Sequence, residues 1–106
     1  MSMLHITDGN LQSEILDADK LAILDLSAAW CGPCKILDPI LAELVTEYDG
    51  RAVIGHCDVG EAPETARRFG VMAIPTVIYF KHGQEVDRFV GLLGKEDIVK
   101  KIDTHL

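Results

Sequence analysis

Trp30-Cys31-Gly32-Pro33-Cys34-Lys35 stands where an apolar run ending in Ser27-Ala28-Ala29 gives way to a helical pattern, and the rest of the chain can be placed around it. Two cysteines three apart on one helical turn lie on the same face, with Cα atoms inside the roughly 4.4–6.8 Å that a disulfide spans. They can close a bond without moving the backbone. Gly32 leaves no side chain between them, and Pro33 fixes φ in a first turn where its missing N–H is no loss. The helix start also makes the two sulfurs unequal. Cys31 meets the unpaired N–H groups and the positive end of the helix dipole, which favour its thiolate and mark it as the nucleophile. Cys34, one turn inside, is expected to be more shielded and less ionised, which suits a thiol that attacks second and resolves a mixed disulfide. The alternatives are a chance pair of thiols or half of a zinc site. Zinc normally takes four ligands, and the remaining candidates are Cys57, His5, His56, His82 and His105. His56 and Cys57 are neighbours in a strand pattern, so their side chains leave opposite faces and cannot both join one site. A Cys-x-x-Cys beside a βαβ pattern in a cytosolic protein reads as a redox centre, and we expect no metal.

Upstream of the pair, Leu21 to Ala28 is almost wholly apolar, as in a strand buried on both faces of a sheet, and Asp25 interrupts it. Either the strand assignment is mistaken and Asp25 reaches water, or it is a buried carboxyl with a purpose; we take the second. Desolvation would raise its pKa, leaving it able to exchange the proton that Cys34 must lose before it attacks. Further upstream, Leu4 to Thr7 is a short candidate strand. Thr7 or Asp8 is placed to cap a helix carrying Leu11, Ile15 and Leu16 at helical spacing.

Downstream, Pro33 to Tyr48 carries a helical stripe of Ile36, Leu37, Ile40, Leu41, Leu44 and Val45, ended by Asp49-Gly50. Pro39 lies inside the stripe without changing its phase, so a kink is expected rather than a break. Lys35 reads as a solvated first-turn lysine, with a catalytic role as the alternative. Arg51 to Val59 is the next strand, with Val53, Gly55, Cys57 and Val59 on one face and Ile54, His56 and Asp58 on the other. Cys57 reads as a small core residue rather than a regulatory thiol. Ala62 to Phe69 is a short helix with Pro63 in its first turn and Gly70 in the stop position. Thr76 to Lys81 and Gln84 to Val90, split by His82-Gly83, form a hairpin, and Lys95 to Leu106 closes the chain as a helix with Ile98, Val99, Ile102 and Leu106 on its apolar side. The order βαβαβαββα predicts an α/β fold, a central mixed sheet with helices on both faces and the cysteines at the C-terminal edge of a central strand, where ligands gather in open α/β sheets.

Trp30 to Lys35, taken with Asp25 and with Ile74-Pro75-Thr76, resembles the thioredoxin family over essentially the whole chain. The resemblance implies the thioredoxin fold and general reduction of protein disulfides. It matches Asp25 to the buried aspartate that exchanges protons with the dithiol. It implies a cis bond between Ile74 and Pro75, and a substrate groove formed by Trp30, Gly32, Pro33, Met72, Ala73, Ile74, Pro75, Gly91 and Leu92. It also implies no bound cofactor beyond the Cys31-Cys34 pair, which a thioredoxin reductase, an NADPH-dependent flavoprotein, would recycle. Three positions depart from the family. His56 stands where a lysine usually lies near the buried aspartate; facing Asp25 it would change charge near physiological pH, while on the sheet surface it would be a satisfied structural histidine. Ser27 replaces a common second tryptophan and Gly60 a common aspartate. These departures motivate one rival, a reductase for a single partner. A redox-inert binding subunit is the other.

At 106 residues one domain spanning 1–106 is expected. Seventeen acidic against ten basic side chains give a net charge of −7 with the basic residues scattered, which argues against nucleic acid as a partner. Three cysteines suit a reducing compartment better than a disulfide-stapled secreted domain. Met1-Ser2-Met3-Leu4-His5 has neither a basic patch nor an apolar core of a leader, and no run approaches the ~18 apolar residues of a spanning helix. The expectation is a cytoplasmic monomer with no membrane contact.

Overall fold

Leu21–Ser27 forms β2, buried at all seven positions, and the other elements assemble around it. The structure, a computed structural model, describes residues 3–106; Met1 and Ser2, part of the segment read for targeting, lie outside the described residues. β2 pairs in parallel with β3 (Ala52–Asp58), and β3 in parallel with β1 (Leu4–Ile6). On its other side β2 pairs antiparallel with β4 (Thr76–Lys81), and β4 with β5 (Gln84–Val90). The five-stranded mixed sheet therefore runs β1-β3-β2-β4-β5, with the strand before the cysteines at its centre. The β4–β5 turn is made by His82 and Gly83, both at positive φ (51° and 77°), the left-handed pair that matches the twist of a two-residue hairpin.

Alternation along the strands sends side chains to two layers. On one face Leu21, Ile23, Val77 and Tyr79 meet Leu37, Leu41 and Leu44 of α1 (Gly32–Glu47) and Ile98 and Ile102 of α3 (Lys95–His105). On the other, Ala22, Leu24, Leu26, Ile78 and Phe80 meet Ile15 and Leu16, with Ala66 of α2 (Pro63–Arg68) and Phe69 just past its end. α1 runs unbroken through Pro39. The predicted element order is the observed one, with ends shifted by a residue or so.

Four expectations are corrected. The first helix is a single wide turn, Gln12–Leu16, closed by the Asp17 N–H on the Gln12 carbonyl (2.8 Å). Asp8 does not cap it: its carboxylate accepts from the backbone N–H of Thr65 (2.8 Å) and Glu64 (3.3 Å) and from the Thr65 hydroxyl (2.7 Å), holding the start of α2 instead. Ile36, placed in the apolar stripe of α1, is exposed, because the buried stripe is the narrower set Cys34, Leu37, Leu41 and Leu44. Leu106 lies past the end of α3 and is exposed.

Candidate redox site

β2 ends at Ser27, and the chain turns through Ala28 and Trp30 so that Cys31 becomes the N-cap of α1. Cys31 is extended (φ −93°, ψ 116°), and its sulfur accepts from the Cys34 backbone N–H at 3.3 Å. A sulfur in the N-cap position receives the N–H groups that the first helical turn leaves without partners. Gly32 and Pro33 fill that turn and are exposed, while the two cysteines are buried and joined by a disulfide with Cα atoms 5.3 Å apart. They form a small apolar cluster with Ala28, Val59 and Ile74.

Asp25 is fully buried in β2, and neither of its carboxylate oxygens has a hydrogen-bond partner. Burial, reinforced by the neighbouring Asp38 carboxyl, pushes its pKa up to about 9. That lies near the pKa of an ordinary thiol. Asp38, on α1 one turn beyond Cys34, did not stand out in the sequence. Its Oδ1 is buried without a partner and its Oδ2 lies 3.4 Å from His56 Nε2. One oxygen of Asp25, one of Asp38 and one ring nitrogen of His56 all lie within 4.8 Å of one another. Parallel pairing of β2 and β3 sets His56 opposite Asp25, yet the polar contacts of its ring go to Asp38 and to Ser27 Oγ (2.6 Å). Ser27 is thus the hydrogen-bond partner of His56, which links two of the three positions where the chain departs from its resemblance.

The groove residues come together in part. Trp30 (79% exposed) and Met72 (97% exposed) border a hollow of about 190 Å³ lined also by Val59, Ala66, Val71, Ala73 and Ile74. The Ile74–Pro75 bond is cis. Ile74 packs on the cysteine cluster, and the Pro75 carbonyl accepts from the Gly91 N–H at 2.8 Å. Gly91 has φ 88°, a left-handed conformation that favours glycine, and Leu92 beside it is exposed but does not line the hollow. Gly60 donates its N–H to Asp58 Oδ1 (2.7 Å) in the loop after β3. Lys35 is exposed. Cys57 is buried in the second core layer, and burial above all pushes its thiol up to about 12.

A disulfide closed across the first turn of a helix, with an exposed apolar hollow that shares Val59 and Ile74 with the cysteine cluster, defines a thiol–disulfide oxidoreductase whose redox group is its own cysteine pair. The thioredoxin family model matches residues 2–104. The chain is 48% identical over 100 residues to "Thioredoxin 2" of Chlorobaculum tepidum, covering 94% of this chain and 92% of that protein. It is also 46% identical to the thioredoxin of Staphylococcus haemolyticus and 43% identical to that of Staphylococcus aureus, each over the full length of both chains. The chain belongs to the thioredoxin family.

Proposed function

We propose that this thioredoxin-family protein is a general reductant of protein disulfides, with Cys31 as nucleophile, Cys34 as resolving thiol and Asp25 as the group that exchanges the Cys34 proton. In the dithiol state the Cys31 thiolate attacks one sulfur of a substrate disulfide lying across Trp30 and Pro75. A mixed disulfide forms, and the departing substrate thiolate takes a proton from water. Asp25 releases its own proton, its carboxylate takes the proton of Cys34, and the Cys34 thiolate attacks the Cys31 sulfur. The second substrate thiolate leaves, and the Cys31–Cys34 disulfide closes. Two electrons have passed from the cysteine pair to the substrate. Trp30, Gly32, Pro33, Met72, Ala73, Ile74, Gly91 and Leu92 form the surface against which the substrate lies, and the backbone before Pro75 pairs with an extended substrate segment.

Recycling falls to a thioredoxin reductase, an NADPH-dependent flavoprotein, and the protein works as a one-domain cytoplasmic monomer. Among the described residues no helix is long and apolar enough to cross a membrane. The observation that carries the mechanism is the Cys31 sulfur in the N-cap position, bonded to Cys34 in the first helical turn. A narrower reductase, serving one partner, is favoured by the Ser27–His56 contact, which makes this site unlike the common family pattern.

Two measurements test these readings. Equilibration against graded dithiothreitol buffers, read by the fluorescence of Trp30 and confirmed by thiol trapping, is expected to give a two-electron potential below roughly −260 mV, on the reducing side of the glutathione pool. A potential near that of oxidants would overturn the reductant reading. Turnover on a panel of unrelated protein disulfides is expected to be broad and abolished in Cys31→Ser; activity on one substrate alone would support the narrower reading.

A further inference from the structure

We propose that Asp38 shares the proton of Asp25 and, together with His56, carries it between that buried carboxyl and solvent. The proposal rests on the reading of Asp25 as the proton-transfer group.

Both oxygens of Asp25 and Oδ1 of Asp38 are buried without a hydrogen-bond donor. Two carboxyls facing each other in such a place repel as carboxylates and are satisfied when one proton lies between them. Asp38 also faces outward. Its Oδ2 meets His56 Nε2 at 3.4 Å, and both side chains, 33% and 29% exposed, line an open hollow of about 280 Å³ with Met3, Leu4 and His5. A continuous series of titratable atoms therefore leads from a fully buried group to water. Ser27 Oγ, 2.6 Å from the same ring nitrogen, fixes where His56 Nε2 points.

The groups around Asp25 come from every packed element. α1 supplies Cys34 and Asp38, spaced four apart and hence on one helix face. β3 supplies His56, with Cys57 on the opposite face of the sheet, and β1 supplies His5 beside His56. β4 supplies only Val77 opposite Asp25. The proton balance is simple. The proton held between the two carboxyls first leaves from Asp38 through His56 or directly into the hollow, and the Asp25 carboxylate so formed takes the proton of the Cys34 S–H. No electrons move in these steps, and the same path runs inward when the disulfide is opened.

The test follows the Asp25 carboxyl by carbon-13 NMR from pH 4 to 11, and the release of a mixed disulfide over the same range. The wild type is compared with Asp38→Asn, Asp38→Glu, Asp38→Ala and Asp25→Asn. Replacing the like charge with an amide is expected to lower the Asp25 midpoint by at least about one pH unit, and the rate profile with it, while Asp38→Glu keeps both near wild type. In Asp38→Ala release is expected to slow by roughly tenfold and to be restored by formate entering the vacated space. Wild-type and Asp38→Asn curves that overlay, with Asp25→Asn still slow, would overturn the relay alone. A release profile unchanged in Asp25→Asn would overturn both the relay and the role of Asp25. The NMR titration reads the buried carboxyl whatever the activity of the variant, and a partly exposed Asp38 leaves the core intact when replaced.

Discussion

At Asp25 a single carboxyl sets terms for both stability and chemistry. Its folded pKa is raised to about 9, chiefly by burial, whereas the unfolded chain carries an ordinary aspartate near ~3.9. Between those values folding takes up a proton that the unfolded chain has released. Stability contributed by this group is therefore fully present below about pH 4, is lost as pH rises, and levels out above about 9, with a limiting slope of about 1.4 kcal/mol per pH unit. Urea unfolding across that window should show the slope in the wild type and its absence in Asp25→Asn; parallel curves would mean that Asp25 is not protonated in the fold. Cys57 makes the opposite case, a titratable group removed from chemistry. Its thiol, pushed up to about 12 and buried, is expected to react with iodoacetamide more than about a hundredfold slower than the reduced Cys31 at pH 8. Mass spectrometry of the labelled protein checks this, and equal labelling would give Cys57 a redox role. Asp25 was legible in the sequence because it breaks an apolar run. Asp38 was not: between Leu37 and Pro39 it looks like any polar residue of an amphipathic helix, and only the packing of α1 on β2 turns it toward Asp25.

Among the elements, those built on local patterns were readable and those held by distant contacts were not. The β4–β5 hairpin follows from two strand-forming runs divided by His82-Gly83, and α1 from its cap, its proline and its apolar spacing. The start of α2 depends on Asp8, more than fifty residues away, and a cap is sought beside its helix. The local pattern therefore assigned Asp8 to the neighbouring turn. Gly55 in β3 shows the same limit. In sequence it is a small residue in a strand, whereas in the fold a Cβ there would lie 2.6 Å from Ile6 Cγ1 and 3.2 Å from Ile15 Cδ1. β1 and the Gln12–Leu16 turn can pack this tightly on β3 because the side chain is missing. Gly55→Ala is expected to destabilise the protein by about 1–3 kcal/mol through overpacking. Denaturant unfolding measures it, and a neutral result would show that Ile6 can move aside.

For the whole molecule the sheet acts as a partition. The layer facing α1 and α3 and the layer facing α2 share the backbone of β2 and β4 but bury separate side chains. The cysteines belong to neither: they sit with Ala28, Val59 and Ile74 in a third, small cluster at the strand ends. This separation has energetic consequences. Ile78 lies in one layer and Ile98 in the other, both fully buried, so each Ile→Val change removes one methylene from well-packed surroundings and is expected to cost about 0.5–1.5 kcal/mol. With no shared partners across the sheet, the two losses should add within about 0.5 kcal/mol in the double variant. Neither substitution touches the cluster around the cysteines. The rate of thiol–disulfide exchange at 25 °C should therefore remain at the wild-type value in all three variants while their urea midpoints fall. Unfolding curves and exchange kinetics on the same samples decide the matter. A coupling well above 0.5 kcal/mol would mean that the sheet transmits strain between its faces. A slowed exchange would mean that the redox site leans on the cores after all, instead of on the strand end and helix start that hold Cys31.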